Sequence, residues 1–295
     1  MGLLPMEADI LPPSDDRVFK LILTSPDAKA VLIDLISAII KRPVTEVFVR
    51  NNEIPVEDTQ EKAERLDVNC RIDDGSQIDL EMQASRIQED SGGEHKNLKG
   101  KSIYYLCDVH SSQPSKGVRR YDKLARTYQV MFCSYTVFPG RKAYANSFSM
   151  RHDEDNELLT DALCVIFVEL SKLDQILKKP VGELTDLEKW AIFFEYADKP
   201  THRETVNKII ESKEALQMAG ELLVGISQDE RERAIAISRK KFQTDYASDM
   251  ATSEDRGSRE RALAIAQNMM KRNRSIDEII EDTGLTREEV ENLIL

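Results

Sequence analysis

The stretch RLDVNCRIDDGSQIDLEMQAS, residues 65–85, constrains the fold more than any other part of the chain. Apolar residues stand at Leu66, Val68, Cys70 and Ile72 and again at Ile78, Leu80 and Met82, a period of two on either side of Asp73-Asp74-Gly75. That is the pattern of two strands joined by a tight turn. A two-residue turn at Asp74-Gly75 would set apolar against polar positions, although paired residues share a face. A three-residue loop, Asp73-Asp74-Gly75 with the glycine left-handed, restores the match. One face then pairs Leu66 with Met82, Val68 with Leu80 and Cys70 with Ile78. The other pairs Arg71 with Gln77, Asn69 with Asp79, and Asp67 with Glu81.

Alternating strands commonly turn their polar residues to water, and a solvated face would ask nothing more of Gln77, Asp79, Glu81 and Gln83. The register asks more. It sets the Asp67 and Glu81 carboxylates directly opposite, with Cβ atoms about 4.5–5.5 Å apart, and like charges so placed repel. A cation between them removes that cost. Mg²⁺ takes oxygen ligands, usually one or two carboxylates with waters and substrate phosphate oxygens. Asp67 and Glu81 are the expected ligands, the carbonyl of Met82 lies near, and Asp79 is a candidate third. Such a metal polarises a phosphodiester and acidifies a water, and Gln83 points to the same site.

An Asp on one hairpin strand and (D/E)-x-K on the next, with a helix on either side, resembles the PD-(D/E)xK nuclease superfamily. Asp67, Glu81 and position 83 occupy the motif, and position 83 departs from it by being Gln. "EMQ" (81–83) resembles the motif of the bacterial Rpn family, recombination-promoting nucleases or putative transposases. The segments DRVFK (16–20), RLDV (65–68), YY (104–105), VELSKL (168–173) and LEKW (187–190) resemble that family as well. So do the spacing of Gln113, Gly117 and Tyr121 and the terminal SIDEIIEDTGLTREEVENLI (275–294).

The resemblance implies a metal-dependent DNA endonuclease that promotes recombination. It implies Asp67 and Glu81 as ligands of Mg²⁺ or another divalent cation and, with Gln83, as the catalytic residues; Asp79 joins the metal ligands from its place on the same strand face. Asp16 is a candidate further acid, its alternative being a helix-start acid favoured by the dipole. Gln83 orients a water by hydrogen bonding but brings no positive charge. Lys101 or Lys20 from a neighbouring helix could supply it, or the site is weakened. The alternative function is a catalytically weak or inactive nuclease-fold protein that binds DNA or a protein partner. Lys101, Arg119 and Arg120 facing the acids would favour the enzyme.

The net charge of −12 argues against a polyanion partner, but its distribution reverses the argument. Residues 95–143 hold ten Lys/Arg against Asp108 and Asp122, a local net of +8, and a phosphate backbone responds to the local field. Lys101, Lys116, Arg119, Arg120, Lys123 and Arg126 are the DNA-binding candidates; the alternative is an ordinary solvated surface. The terminal pattern reads as a helix-turn-helix with Thr286 capping its second helix. Residues 277–291 hold seven acids and one Arg, so it would repel phosphate and reads as a packing or protein-contact module.

Apolar residues make up 41% and charged residues 32% of the 295, a soluble globular composition with no membrane span, signal peptide or myristoylation pattern. Cys70, Cys107, Cys133 and Cys164 are spaced too far apart for a Cys-x-x-Cys motif and read as buried apolar residues in a reducing cytoplasm. Ser14 and Ser25-Pro26 read as helix starts. Strands are expected at 44–50, 126–138, 144–150 and 162–170, a helix at 101–110, and helices alone from Leu184 onward. The expected fold is α/β, a PD-(D/E)xK restriction-endonuclease-like core with a mixed central sheet flanked by helices and an all-helical C-terminal extension. Its expected parts are the core at 1–180, a helical extension at 181–250, and a tail at 251–295.

Overall fold

The computed structural model describes residues 3–50, 68–84, 96–113 and 121–293. The chain divides into two compact units, Met1–Arg233 and Ala234–Leu295.

The first unit is built on a six-stranded sheet. Its strands are β1 (Val47–Val49), β2 (Val68–Ile72), β3 (Gln77–Gln83), β4 (Thr127–Cys133), β5 (Ala145–Arg151) and β6 (Leu158–Glu169). Their spatial order is β1-β2-β3-β4-β6-β5. β2 and β3 are antiparallel, pairing Val68 with Leu80, Asn69 with Asp79, Cys70 with Ile78 and Arg71 with Gln77. This is the register of the three-residue loop. The Ile72 amide donates to Ser76 O across it, and Gly75 sits at φ 89°, where a side chain is strained. β4 runs parallel to both β3 and β6, so the sheet is mixed.

A parallel pair needs a long crossover, usually helical. Helix α3 (Lys96–Ser111) lies between β3 and β4 in sequence and covers one face of the sheet. Leu98, Leu106, Met131, Cys133, Val165 and Phe167 form the apolar core beneath it. The other face carries the larger core. There Ile78, Leu80, Met82, Val130, Phe132 and Ile166 meet helices α1 (Asp16–Thr24) and α2 (Lys29–Ile40). Phe19 of α1 and Phe132 bring their ring centroids to 5.6 Å.

Helices α4 (Asp186–Tyr196), α5 (Arg203–Glu211) and α6 (Glu214–Gln228) share that same core through Trp190, Phe193, Val206, Leu216 and Leu223. Trp190 is fully buried and its indole N–H donates to Asp34 at 2.8 Å, a packing role rather than a stacking platform. β6 ends on Glu169, also fully buried. Its carboxylate accepts the amides of Val137 (2.7 Å) and Phe138 (2.9 Å), the Asn146 side chain (3.2 Å) and Lys172 (2.7 Å).

Several boundaries differ from the sequence reading. Asp15, not Ser14, caps α1, accepting the Arg17 and Val18 amides. Ser25 closes α1 by bonding Leu21 O, and α2 begins only at Lys29. The strand expected at 126–138 ends at Cys133, and the one expected at 162–170 starts earlier, at Leu158. Cys107 is exposed, while Cys70, Cys133 and Cys164 are buried.

In the second unit, Ala266, Ile279, Leu285 and Val290 form a small core between α7 (Glu230–Lys271), α8 (Ile276–Thr283) and α9 (Arg287–Glu291). Ser275 and Thr286 each close a reciprocal capping box, with Glu278 and Glu289, and Gly284 takes the left-handed conformation between the helices. No helix among the described residues is long and apolar enough to cross a membrane.

Candidate active site

The polar face of β3 is not solvated. Gln77, Asp79 and Glu81 are 3%, 0% and 2% exposed, because α3 lies over this face. Burying carboxylates is costly unless hydrogen bonds or opposite charges meet them. Both are present. Gln129 on β4, the register partner of Asp79, donates its amide to Asp79 Oδ2 at 2.7 Å. Lys101 on α3 reaches Glu81 Oε2 at 3.2 Å. Gln83 turns its amide toward the same oxygen at 3.5 Å and donates to Met82 O at 3.2 Å.

Helix geometry explains why Lys101 arrives there. Leu98, Ser102, Leu106 and Val109 are the buried stripe of α3 at the spacing of one helical face. Lys101 flanks that stripe, close enough to the sheet for its ammonium to meet Glu81. Its Nζ also lies 5.1 Å from the centre of the Tyr105 ring. The far end of α3 is clamped to the start of β4. The Gln113 amide donates to Ala125 O at 2.9 Å and its oxygen accepts the Ala125 amide at 2.8 Å. His110 Nδ1 meets Thr127 Oγ1 at 2.8 Å, and burial holds the His110 pKa below its usual value.

The structure therefore brings together Glu81, Gln83 and Lys101, with Asp79 on the same strand face. Asp67 precedes β2 and lies outside the described residues, as do Lys116, Arg119, Arg120 and Gly117. Asp16 opens α1, where its carboxylate accepts the Arg17 amide at 2.8 Å. α1, which also carries Lys20, packs on the Met82 side of the sheet. Lys123 is exposed in a short 3-10 turn. Arg126 lies on the face opposite Glu81, its guanidinium 4.7 Å from the Tyr128 ring centre and 3.6 Å from Asp161. It lines a separate cleft of about 270 Å³ with Lys41, Cys164 and Leu187.

Gln129 escaped the sequence reading. The signal was available in RTYQVMFC, where Thr127 and Gln129 are the polar positions of a strand that is otherwise apolar from Tyr128 onward. Two thiols near the site are inert. Burial, with Asp79 as the second cause, pushes Cys70 up to about 12. Burial and Glu169 raise Cys133 as well. Neither supplies a thiolate nucleophile at neutral pH.

Among the described residues, no three His, Cys, Asp or Glu side chains form a group that could hold a metal ion. The donors that are placed nevertheless suit a hard divalent cation: the buried Glu81 carboxylate, Asp79 two residues along, and the amide oxygen of Gln83.

A mixed sheet flanked by helices, with a hairpin bearing buried acids, defines a protein of the PD-(D/E)XK nuclease fold. Residues 13–253 match the family described as PD-(D/E)XK nuclease family transposase, and the chain belongs to that family. No curated protein and no solved structure gives a significant match.

Proposed function

We propose that the chain is a metal-dependent DNA endonuclease whose strand breaks feed recombination. The observation that carries the reading is the buried Glu81 with Lys101 3.2 Å away and Gln83 beside it, within a nuclease-family match over residues 13–253. Asp67, Glu81 and Asp79 would hold Mg²⁺ or another divalent cation. Such an ion, when bound, polarises a phosphodiester and acidifies water.

The remaining work falls to this chain's own side chains. Gln83 orients the attacking water by hydrogen bonding. Lys101 supplies the positive charge that Gln83 lacks, offsetting charge that develops on the phosphate. Hydrolysis then breaks one P–O bond, leaving a phosphate end and a hydroxyl end. α3 excludes bulk water from the face, which strengthens each of these interactions. The basic stretch at 95–143 neutralises backbone phosphates; of its DNA-binding candidates on this side Lys101 and Lys123 are described, and Lys116, Arg119 and Arg120 fall between them in the sequence. Arg126 faces the other side of the sheet and is left out of this role.

The test is nicking of supercoiled plasmid by the purified protein in Mg²⁺, Mn²⁺ or EDTA, beside Asp67→Ala and Glu81→Ala. Cation-dependent nicking lost in both variants is the expected result. The same trace activity in all three proteins would sink the nuclease reading in favour of a nuclease-fold protein that acts by binding.

A further inference from the structure

The Tyr104-Tyr105 pair has no part in the chemistry above. α3 turns Leu98, Ser102, Leu106 and Val109 inward, and Ile103 and Tyr104 outward at 52% and 57% exposed. The outward ring is tied to the site by a short chain of contacts. The Tyr104 and Tyr105 ring centres are 5.9 Å apart, Tyr105 is 5.1 Å from Lys101 Nζ, and Lys101 is 3.2 Å from Glu81. The exposed Tyr104 ring is thus held one ring away, through Tyr105, from a lysine that reaches the candidate catalytic carboxylate. α3 carries Lys96, Lys99 and Lys101 against the single acid Asp108. That balance fits a polyanion better than an apolar protein surface.

In an intact duplex, base faces are covered by their neighbours, and only edges and backbone reach a protein. A ring on a helix surface takes a base only where the base is unstacked, and it does so with little regard to sequence because every base has a π face. We propose that Tyr104 is a stacking platform for an unpaired base, so that this site acts on DNA carrying unpaired nucleotides (a single strand, flap or bubble) in preference to intact duplex. The inference rests on the nuclease reading for the site that it serves.

The test measures binding without cleavage. The full-length protein in EDTA is titrated against a fluorescein-labelled single-stranded oligonucleotide and against the same strand annealed to its complement, with anisotropy as the readout. The single strand is expected to bind more tightly. Tyr104→Ala should weaken single-strand binding about tenfold, in keeping with the loss of one base–aromatic stack, and leave duplex binding unchanged. Tyr104→Phe, which keeps the ring, should restore it, and thermal melts of both variants should match wild type.

Duplex binding as tight as single-strand binding would overturn the inference. So would a Tyr104→Ala variant that weakens both forms alike or neither. Failure of the nuclease reading looks different: no nicking of plasmid and no binding of either form sinks both ideas. Cation-dependent cutting of relaxed duplex, with strand preference unaltered in Tyr104→Ala, sinks this one alone.

Discussion

Glu81 and Glu169 lie on neighbouring parts of one sheet, are 2% and 0% exposed, and each has a lysine within 3.2 Å. Their settings differ. Glu169 accepts two backbone amides of the loop at Val137 and Phe138, as well as Asn146 and Lys172, and so fastens the end of β6 to that loop. Glu81 is approached by the tips of Lys101 and Gln83, long side chains from different elements that can exchange partners without moving the backbone. Burial alone therefore does not mark a functional carboxylate. Partners such as the Lys101 and Gln83 side chains, which can turn to a substrate, are what single Glu81 out as the candidate.

The sharpest break of this comparison exchanges the consequences of the two losses. Glu81→Gln should lower nicking about 1,000-fold, roughly 4 kcal/mol of barrier. The melting temperature should hold, because Gln keeps the shape of Glu81 and the Lys101 side chain, 27% exposed, keeps its hydration when the pair is lost. Kinetics and a melt on one preparation check both halves, and a cooperative collapse of the fold would show that Glu81 is structural. Glu169→Ala should do the reverse. It leaves the Val137 and Phe138 amides without their acceptor and takes the carboxylate from Lys172, which keeps Phe138 O and Arg141 O, costing about 3–5 kcal/mol in urea unfolding, while the folded fraction keeps its specific activity.

A smaller effect sharpens the role of Lys101. Lys101→Met should lower kcat/KM about 10- to 100-fold, with the larger part of the loss in kcat. Adding Gln83→Lys should recover part of the loss, since the charge returns from the strand instead of the helix. A double variant no better than Lys101→Met would mean that Lys101 merely fills space.

The smallest effect concerns the clamp at the far end of α3. His110 titrates lower in the fold than its unfolded value of 6.5, because burial disfavours its charged form. The unfolded chain therefore binds the extra proton first. Stability contributed by neutral His110 is complete above about pH 6.5 and declines as pH falls through the folded pKa. Melting curves across that window should fall more steeply for wild type than for His110→Gln; parallel curves would rule the clamp out as a titrating element.

The hairpin was legible because side-chain period and turn length jointly admit one register, and the described pairs follow it. The family motif was legible for the same reason. Helix starts were less so. Ser25-Pro26 has the chemistry of an N-cap and first-turn proline, but Ser25 bonds back to Leu21, and the turn that follows delays α2 to Lys29. The parallel pairing of β3 with β4 left no local trace, since partners such as Asp79 and Gln129 stand 50 residues apart. That pairing places Gln129 at the site, and α3 over it. Lys101 could be named only as one of two candidates, because a helix's rotation over a sheet is set by packing.

The same pairing bears on synthesis. A growing chain that has reached the end of α3 has already made Glu81, Gln83 and Lys101, but not β4. Until Thr127–Cys133 leaves the ribosome, β3 has no partner along that side, and α3 has no clamp at Ala125 and Thr127 to hold it over the acids. A chain assembled in this order gains its candidate site only after the strand that locks it has been translated, so that prematurely ended chains carry the family motif without the finished arrangement.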